Sequence, residues 1–590
     1  MALLLLAVFA CQPLQQPRTG AAAKPPDRLA SADALMFKGD YDGAERAYAS
    51  LAASGVRAAH SHLAVLLAYE SRFADAVAEA TAGVQSQPDS ANLARLTRAY
   101  DWAGDVAPAL DTGARSVKAA AVDPLAHVYY SEALSDAGRY SDAERELKAA
   151  ASTVKDAYAR AELNREWGNY YRGKGDAQQA LNYIQLAQKV QPDFPERTIE
   201  LARFDYARKK PDVARSLLEK VRTGRASAAV LVAAGDAASL GGDPAEASTI
   251  YTTALAVQPG SPSATLGMAE LDVAQKRDFE AAHTRLLEAL KAAPKAGDVY
   301  LFLRYLDLLV LKRDPDAELK PIAGDLPEKL RSHRAAALDR VNGYRSSVGL
   351  PAVREDGAIA EAAEAHSYYW IFNFNQPQVA GLGIHSEDPD LPGFTGADSL
   401  QRDRHFGYPG TRGAEVINHV FVPTAAVQVW ADSVFHRFPI LDRDTQVAGY
   451  GEAQVGGMTI QTIDFGVGAG ARGDAVAYPF PNQTGVQSTF MGNELPDPAP
   501  KGTEYPIGYP ITVQFPDGAQ LSVLVGKLIG PDGKDVPSIV LNPGEKVGPN
   551  EWSLLAMKPL QPGATYTVQL AGRVDGQEFD KKWSFSVAAA

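Results

Sequence analysis

The sequence predicts three folds in series: an all-α solenoid, a mixed α/β domain and an all-β sandwich. Three observations carry that prediction. A pattern with a mean period of 34 residues fills the first half, and six of the ten histidines fall between His333 and His436. Short alternating strands between Gly/Pro turns occupy residues 506–590. At 46% hydrophobic and 22% charged, the 590 residues have the balance of a folded chain, enough for about four domains of ~150 residues. The net charge is −13, from 71 acidic and 58 basic residues without a long Lys/Arg run, which argues against a nucleic-acid partner. The single cysteine, Cys11, excludes an internal disulfide and a cysteine-based zinc site.

Residues 1–11 open with ten apolar residues, Met1 to Ala10, and end on Cys11. Ten helical residues rise ~15 Å against a ~30 Å hydrocarbon core, so the run is too short to span a membrane but suits the apolar region of an export signal. Ala10-Cys11 resembles the lipobox of bacterial lipoproteins, which implies lipidation at Cys11, a membrane partner and a place in the cell envelope. An ordinary cleaved signal is the competing reading. Residues 12–27, rich in Gln, Pro and Ala, read as a tether.

From residue 28 to 313 a turn-like polar pair recurs, followed by an alanine: Ala44, Ala76, Ala109, Ala143, Ala180, Ala214, Ala247 and Ala282. Their spacings run from 32 to 37, and Pro88, Pro192, Pro259 and Pro294 each follow one of them by twelve residues. Small alanines permit close helix approach, Gly-Asp pairs such as Gly39-Asp40 and Gly242-Asp243 form the turn, and proline ends the second helix. These features resemble the tetratricopeptide repeat (TPR). The resemblance implies stacked helix pairs with a concave groove for a protein or peptide partner; a rigid spacer is the alternative. The apolar segment Val299–Leu311 reads as the helix capping the stack, and residues 314–332 as a linker. His60, His62, His127 and His283 fall at unrelated helical phases and read as surface or satisfied core histidines.

Residues 333–474 are predicted to hold helices at Leu338–Leu350, Gly357–Phe374 and about Thr424–Phe435, with a hairpin over Gln446–Gly466 around Gly456-Gly457. The Gly/Pro-rich stretch Val379–Gly413 is longer than a connector needs, and such loops are often functional. The segments Val341-Asn342-Gly343-Tyr344-Arg345, Ala363-Glu364-Ala365-His366, Ile384-His385-Ser386, Gly413-Ala414-Glu415-Val416, Trp430-Ala431-Asp432-Ser433, His436-Arg437 and Gly449-Tyr450-Gly451 occur in that order. In this order they resemble the CAP superfamily of cysteine-rich secretory, antigen 5 and pathogenesis-related proteins, in its disulfide-free bacterial branch. The resemblance implies an α-β-α sandwich whose cleft gathers two histidines and two acids. Those positions fall on His385, Glu415, Asp432 and His436, with His366 and Glu387 as candidates to orient the imidazoles. Such a set implies zinc or another divalent cation, or equally a buried polar network that only orders the fold. His405 and His419 read as loop and surface residues.

Residues 475–505 are proline-dense and read as a linker. In residues 506–590, strands are expected at Ile511–Phe515, Leu521–Val525, Thr565–Leu570 and Trp583–Val587. Leu560 to Tyr566 resembles the tyrosine corner of Greek-key sandwiches, which implies an Ig-like domain. The functional expectation is an exported, lipid-anchored binding protein whose CAP domain takes a metal, lipid or cell-surface ligand. The alternative is a metal-assisted hydrolase using His385, His436 and Glu415, which would require an open metal position and a base beside a bound water. No Ser-His-Asp order or His-Glu-x-x-His helix supports a protease.

Overall fold

The computed structural model describes residues 28–588, except 138, 175, 225, 325–326, 375, 420–422, 456–457, 469–472 and 493. The signal and tether expected at 1–27, with Cys11, lie outside the described residues, as do the turn glycines Gly138, Gly175, Gly456 and Gly457. Among the described residues, no helix is long and apolar enough to cross a membrane.

The first half is a solenoid of helix pairs, from Arg28–Met36 with Tyr41–Ala53 to Pro262–Leu271 with Phe279–Ala292. All eight repeat alanines are fully buried. The Gly-Asp turn has two separable parts. Gly39 and Gly242 take positive φ (79° and 73°), open to glycine without strain, and the next residue caps the second helix. Asp40 accepts from Gly43 N–H, and Asp243 from Glu246 N–H. The stack curls tightly enough for its first pair to touch its sixth and seventh: Tyr41 Oη donates to Glu196 at 2.8 Å, and Ser227 N–H to the Gly39 carbonyl at 2.8 Å. Inside the curl, Arg98, Glu132, Glu162, Arg165 and Arg197 form a buried ion network, with Glu162 bonded to Arg98 and Arg197. Part of the concave face expected to be an open groove is therefore filled by the chain's own side chains.

The solenoid ends in Gly297–Tyr305, which widens into a π-helical turn over Leu306–Leu311. Residues 314–332, expected as a linker, are largely helical: Pro315–Ala323 packs on the cap, and Glu328–Ser347 begins the next domain. The junction is apolar. Tyr305 stacks on Tyr368 at 4.7 Å and Phe302 meets Phe372 edge-on at 5.4 Å. His333 spans the two domains, with Nδ1 2.8 Å from Glu452 and Nε2 3.0 Å from the Ala103 carbonyl.

The middle domain has strands β1 (Arg354–Glu355), β2 (Gly413–Asn418), β3 (Thr445–Val455) and β4 (Met458–Val467), in sheet order β1-β3-β4-β2. β1 runs parallel to β3 and the other pairs are antiparallel. Helix Gly357–Asn373 lies so close to β3 that a Cβ at Gly449 or Gly451 would come within about 2 Å of the helix backbone. Glycine is required there for the helix to reach the sheet. Helices Glu328–Ser347 and Pro423–Ala431 complete the α-β-α arrangement.

The last region is all-β: β5 (Val476–Tyr478), β6 (Thr489–Phe490), β7 (Ile507–Gly508), β8 (Ile511–Gln514), β9 (Leu521–Ile529), β10 (Ser538–Leu541), β11 (Glu551–Ala556), β12 (Thr565–Val574) and β13 (Gln577–Ser586). Sheets β10-β11-β8-β5 and β13-β12-β9 face each other, with Trp552 of one against Gly526 of the other. The tyrosine corner is present: Gln561 N–H donates to Tyr566 Oη at 2.9 Å. Residues 475–505 differ from the expected linker. β5 pairs with β8 and β6 with β7, so the all-β fold starts before 506. One continuous core joins this region to the middle domain, including Tyr344, Trp430, Tyr509 and Trp552.

Candidate functional site

His385 ends the 3-10 turn Gly381–His385, Glu415 lies in β2, and His436 precedes the short helix Arg437–Leu441. These three separate segments bring the two imidazoles face to face, with centroids 6.4 Å apart and planes at 29°. His385 Nδ1 lies 2.7 Å from Glu415 Oε1, and the other Glu415 oxygen accepts from Arg402, a fully buried guanidinium. Burial raises the Glu415 pKa, but Arg402 and the imidazoles outweigh it and hold the carboxyl at about 2. Behind it, burial raises Asp403 to about 8 against the pull of Arg402, and burial with the Glu415 charge also raises Asp464. Glu415 is thus a fixed anion backed by two buried acids of raised pKa.

His436 has a different partner from the one expected. Its Nδ1 lies 2.9 Å from Glu494 Oε1, and that carboxylate also accepts the N–H groups of Val434 (2.8 Å), Phe435 (2.7 Å) and His436 (3.1 Å). Asp432 does not join the cleft. Its carboxylate accepts from Tyr509 Oη (2.6 Å), Gln428 (2.6 Å) and Gln487 (2.8 Å), in the seam with the all-β region. The resemblance places the second acid at Asp432, in Trp430-Ala431-Asp432, but the turn after Pro423–Ala431 aims that side chain into the seam. Glu494, in the segment read as a linker, stands beside His436 instead, and nothing in its Gly/Pro-rich surroundings marks it in the sequence.

His366 is fully buried behind the pair, with Nδ1 3.0 Å from Glu387, Nε2 2.8 Å from the Ile384 carbonyl, and Glu415 3.7 Å away. Glu387 in turn accepts from Thr395 and Gly396 N–H. This pair fixes the loop that carries His385 and touches Glu415 only at a distance. His419 is half-buried against Trp370 at 4.8 Å, and burial lowers its pKa.

Each cleft carboxylate is engaged on an imidazole Nδ1, the arrangement in which an outer carboxylate fixes the tautomer and leaves Nε2 as donor. The acids are buried, with side chains 5% (Glu415) and 0% (Glu494) exposed, whereas His385 and His436 are 30% and 15% exposed. Buried anions thus orient two partly exposed imidazoles whose ring centroids are 6.4 Å apart. They do not form a closed four-ligand site, because no three of these described donors lie within one ion's reach.

Comparison with known proteins bears on the same stretch. Residues 338–460 match the family model CAP, Cysteine-rich secretory protein family. The CAP match contains His385, Glu415 and His436 and stops short of Glu494. No curated protein matches the chain significantly. Among solved structures, a tetratricopeptide repeat protein from Parabacteroides merdae is 14% identical, covering 39% of this chain and 92% of its own, with a TM-score of 0.26. Pseudomonas aeruginosa pilF is 17% identical, covering 37% and 98%, with a TM-score of 0.25. The Cut9–Hcn1 hetero-tetramer of the APC/C is 14% identical, covering 47% and 55%, with a TM-score of 0.32.

Proposed function

We propose that this is a lipid-anchored envelope protein whose CAP cleft binds a divalent cation, and whose TPR solenoid engages a protein partner. The observation that carries the cleft reading is the pair His385–His436, 6.4 Å apart, each with a glutamate on Nδ1. In this reading His385 and His436 hold the ion through Nε2 while Glu415 and Glu494 orient them. The ion, when bound, supplies a positive centre with open positions for an anionic or carbonyl group of a ligand. Arg402 keeps Glu415 ionised, so the carboxylate remains an acceptor beside His385 Nδ1.

Support for a partner comes from a cavity of about 740 Å³ in the solenoid, lined by its own helices together with Ala425 and Gln454 of the CAP domain. Its walls include Asp101, Asp136 and Glu166, whose pKa values burial raises, beside Trp102 and Phe204. The same walls carry Arg165, Arg172, Arg197 and Arg203, so this recess of mixed charge beside aromatic faces suits a polar peptide segment of a partner.

Calorimetry with zinc tests the cleft. His385→Ala with His436→Ala should take up one equivalent fewer than the parent protein. Equal uptake by the two proteins overturns the assignment.

A further inference from the structure

At the capped end of the solenoid, far in sequence from the CAP cleft residues, three other donors converge. His283 lies on helix Phe279–Ala292, Asp307 in the π-helical turn Leu306–Leu311, and Glu318 on helix Pro315–Ala323. His283 Nε2 is 3.2 Å from Asp307 Oδ1 and 3.3 Å from Glu318 Oε2, and the three donor atoms lie within 4.8 Å of one another. Asp307 is fully buried and His283 is 7% exposed. Neither Asp307 oxygen, nor His283 Nε2, has a hydrogen bond of acceptable geometry. The other buried repeat histidine, His127, has both ring nitrogens engaged, on Glu146 (2.7 Å) and the Ala121 carbonyl (3.0 Å). His283 Nε2 instead faces two carboxylates.

Asp307, whose contact with His283 is poorly aligned, is a buried carboxylate that is costly unless a cation meets it. Arg313 does not fill that role, because its guanidinium is drawn off to Glu280 at 2.8 Å. The wide turn is what brings Asp307 to this point, and π-turns inside helices recur at functional sites. Tetrahedral zinc, with bonds of ~2.0 Å, needs donors roughly 3.3 Å apart. Two of the three separations, 3.2 and 3.3 Å, meet that requirement, and the Asp307 and Glu318 donors lie within 4.8 Å of each other. One imidazole and two carboxylates suit zinc or a similar first-row ion, whereas calcium takes six to eight oxygens. Glu318, with its side chain 40% exposed, leaves the fourth position open to water.

We propose that His283, Asp307 and Glu318 form a zinc-type divalent-cation site that clamps the last three helical segments of the solenoid together. The clamp acts on the segment that bears the CAP domain. Arg304, one turn before Asp307, bridges Asp316 and the CAP residue Glu361 at 2.9 Å each, and Tyr305 stacks on Tyr368. Binding there stiffens the junction between the two domains.

The test uses the full chain carrying His385→Ala and His436→Ala, so that the CAP cleft takes no part. Zinc titration by calorimetry should show one bound equivalent, with a Tm that rises as zinc is added. Adding Asp307→Asn, nearly the same shape, should abolish both. If that variant does not fold, Glu318→Gln at its half-exposed position should lose the equivalent at zinc concentrations that saturate the parent. No zinc uptake by the cleft-free protein overturns the proposal, and so does undiminished uptake after Asp307→Asn or Glu318→Gln. The outcome is independent of the cleft reading, which the His385/His436 pair tests alone.

Discussion

Glu494 Oε1 lies 2.9 Å from His436 Nδ1 although 58 residues separate them, so a segment beyond the CAP match completes the CAP cleft. The carboxylate is fully buried and accepts three consecutive backbone N–H groups besides the imidazole. Glu494→Ala should therefore destabilise the protein by about 2–4 kcal/mol, since those donors lose their acceptor inside the core. Glu494→Gln keeps an acceptor and should fold, but with zinc affinity at the cleft lowered roughly 10–100-fold. Urea denaturation of the first variant and zinc calorimetry of the second read these effects. Wild-type affinity in Glu494→Gln would remove Glu494 from the site.

Asp432 makes the contrasting case. It accepts from Tyr509, Gln428 and Gln487, so Asp432→Ala leaves three donors unpaired in the seam between the CAP domain and the all-β region. A loss of about 1–3 kcal/mol in stability is expected, with zinc binding unchanged. A weakened zinc site with intact stability would return Asp432 to the cleft.

These two residues mark where the sequence could be read and where it could not. The repeat was legible because each helix pair is a local unit: the eight alanines follow from spacing, and all eight are buried. The CAP segments were legible because many perform local structural tasks. Arg345 donates to the carbonyls of Pro351, Ile440, Asp442 and Thr445, and Asn342 exchanges two hydrogen bonds with Val353. Glu494 was not legible, because its role depends on a loop folding back from the next domain. The His283 cluster was hidden for a related reason. A π-turn has no sequence signature of its own, and shifting Asp307 by one residue's rotation would dissolve the cluster.

The acids behind Glu415 predict a pH dependence. Burial, then the charges of Glu415 and Asp356, raise Asp403 from its ordinary 3.8 to about 8, with Arg402 opposing. A raised folded-state pKa means the native state holds a proton that the unfolded chain releases. The contribution is present in full below about pH 3.8 and is lost as pH rises through about 8. Glu415 has the opposite sign: held at about 2, its contribution is present above its ordinary 4.5 and is lost as pH falls through about 2. Denaturant midpoints should therefore fall between about pH 5 and about pH 9, and Asp403→Asn should flatten that fall. An unchanged slope in the variant would mean that Asp403 is ionised in the folded protein.

The anchor carries its own prediction. Cys11 is the sole thiol and follows an apolar run of ten residues, and a chain of net charge −13 has no electrostatic attraction to anionic membranes. Acyl chains would supply the affinity, at ~0.8 kcal/mol per buried CH₂. Cys11→Ser should move the protein from the membrane to the soluble fraction. Sedimentation of the variant with membranes, or a wild type without lipid by mass spectrometry, refutes the lipobox.

The last prediction concerns the solenoid's independence. Repeat arrays depend on neighbour contacts, and a capping segment would be expected to free the solenoid from the CAP domain. The structure gives that segment a second partner. Phe302 and Tyr305 are buried against Tyr368 and Phe372 of the CAP helix, and Arg277 Nη1 donates to the Phe372 carbonyl at 2.7 Å. Burial of two such aromatic side chains is worth roughly 1.5–3 kcal/mol each. A fragment of residues 28–323 would present that apolar face to water and should self-associate on gel filtration while keeping its helical circular dichroism. Supplying residues 328–590 in trans should cover the face and yield a one-to-one complex. A fragment 28–323 that runs as a stable monomer and ignores the second piece would show that the junction contributes nothing to the solenoid.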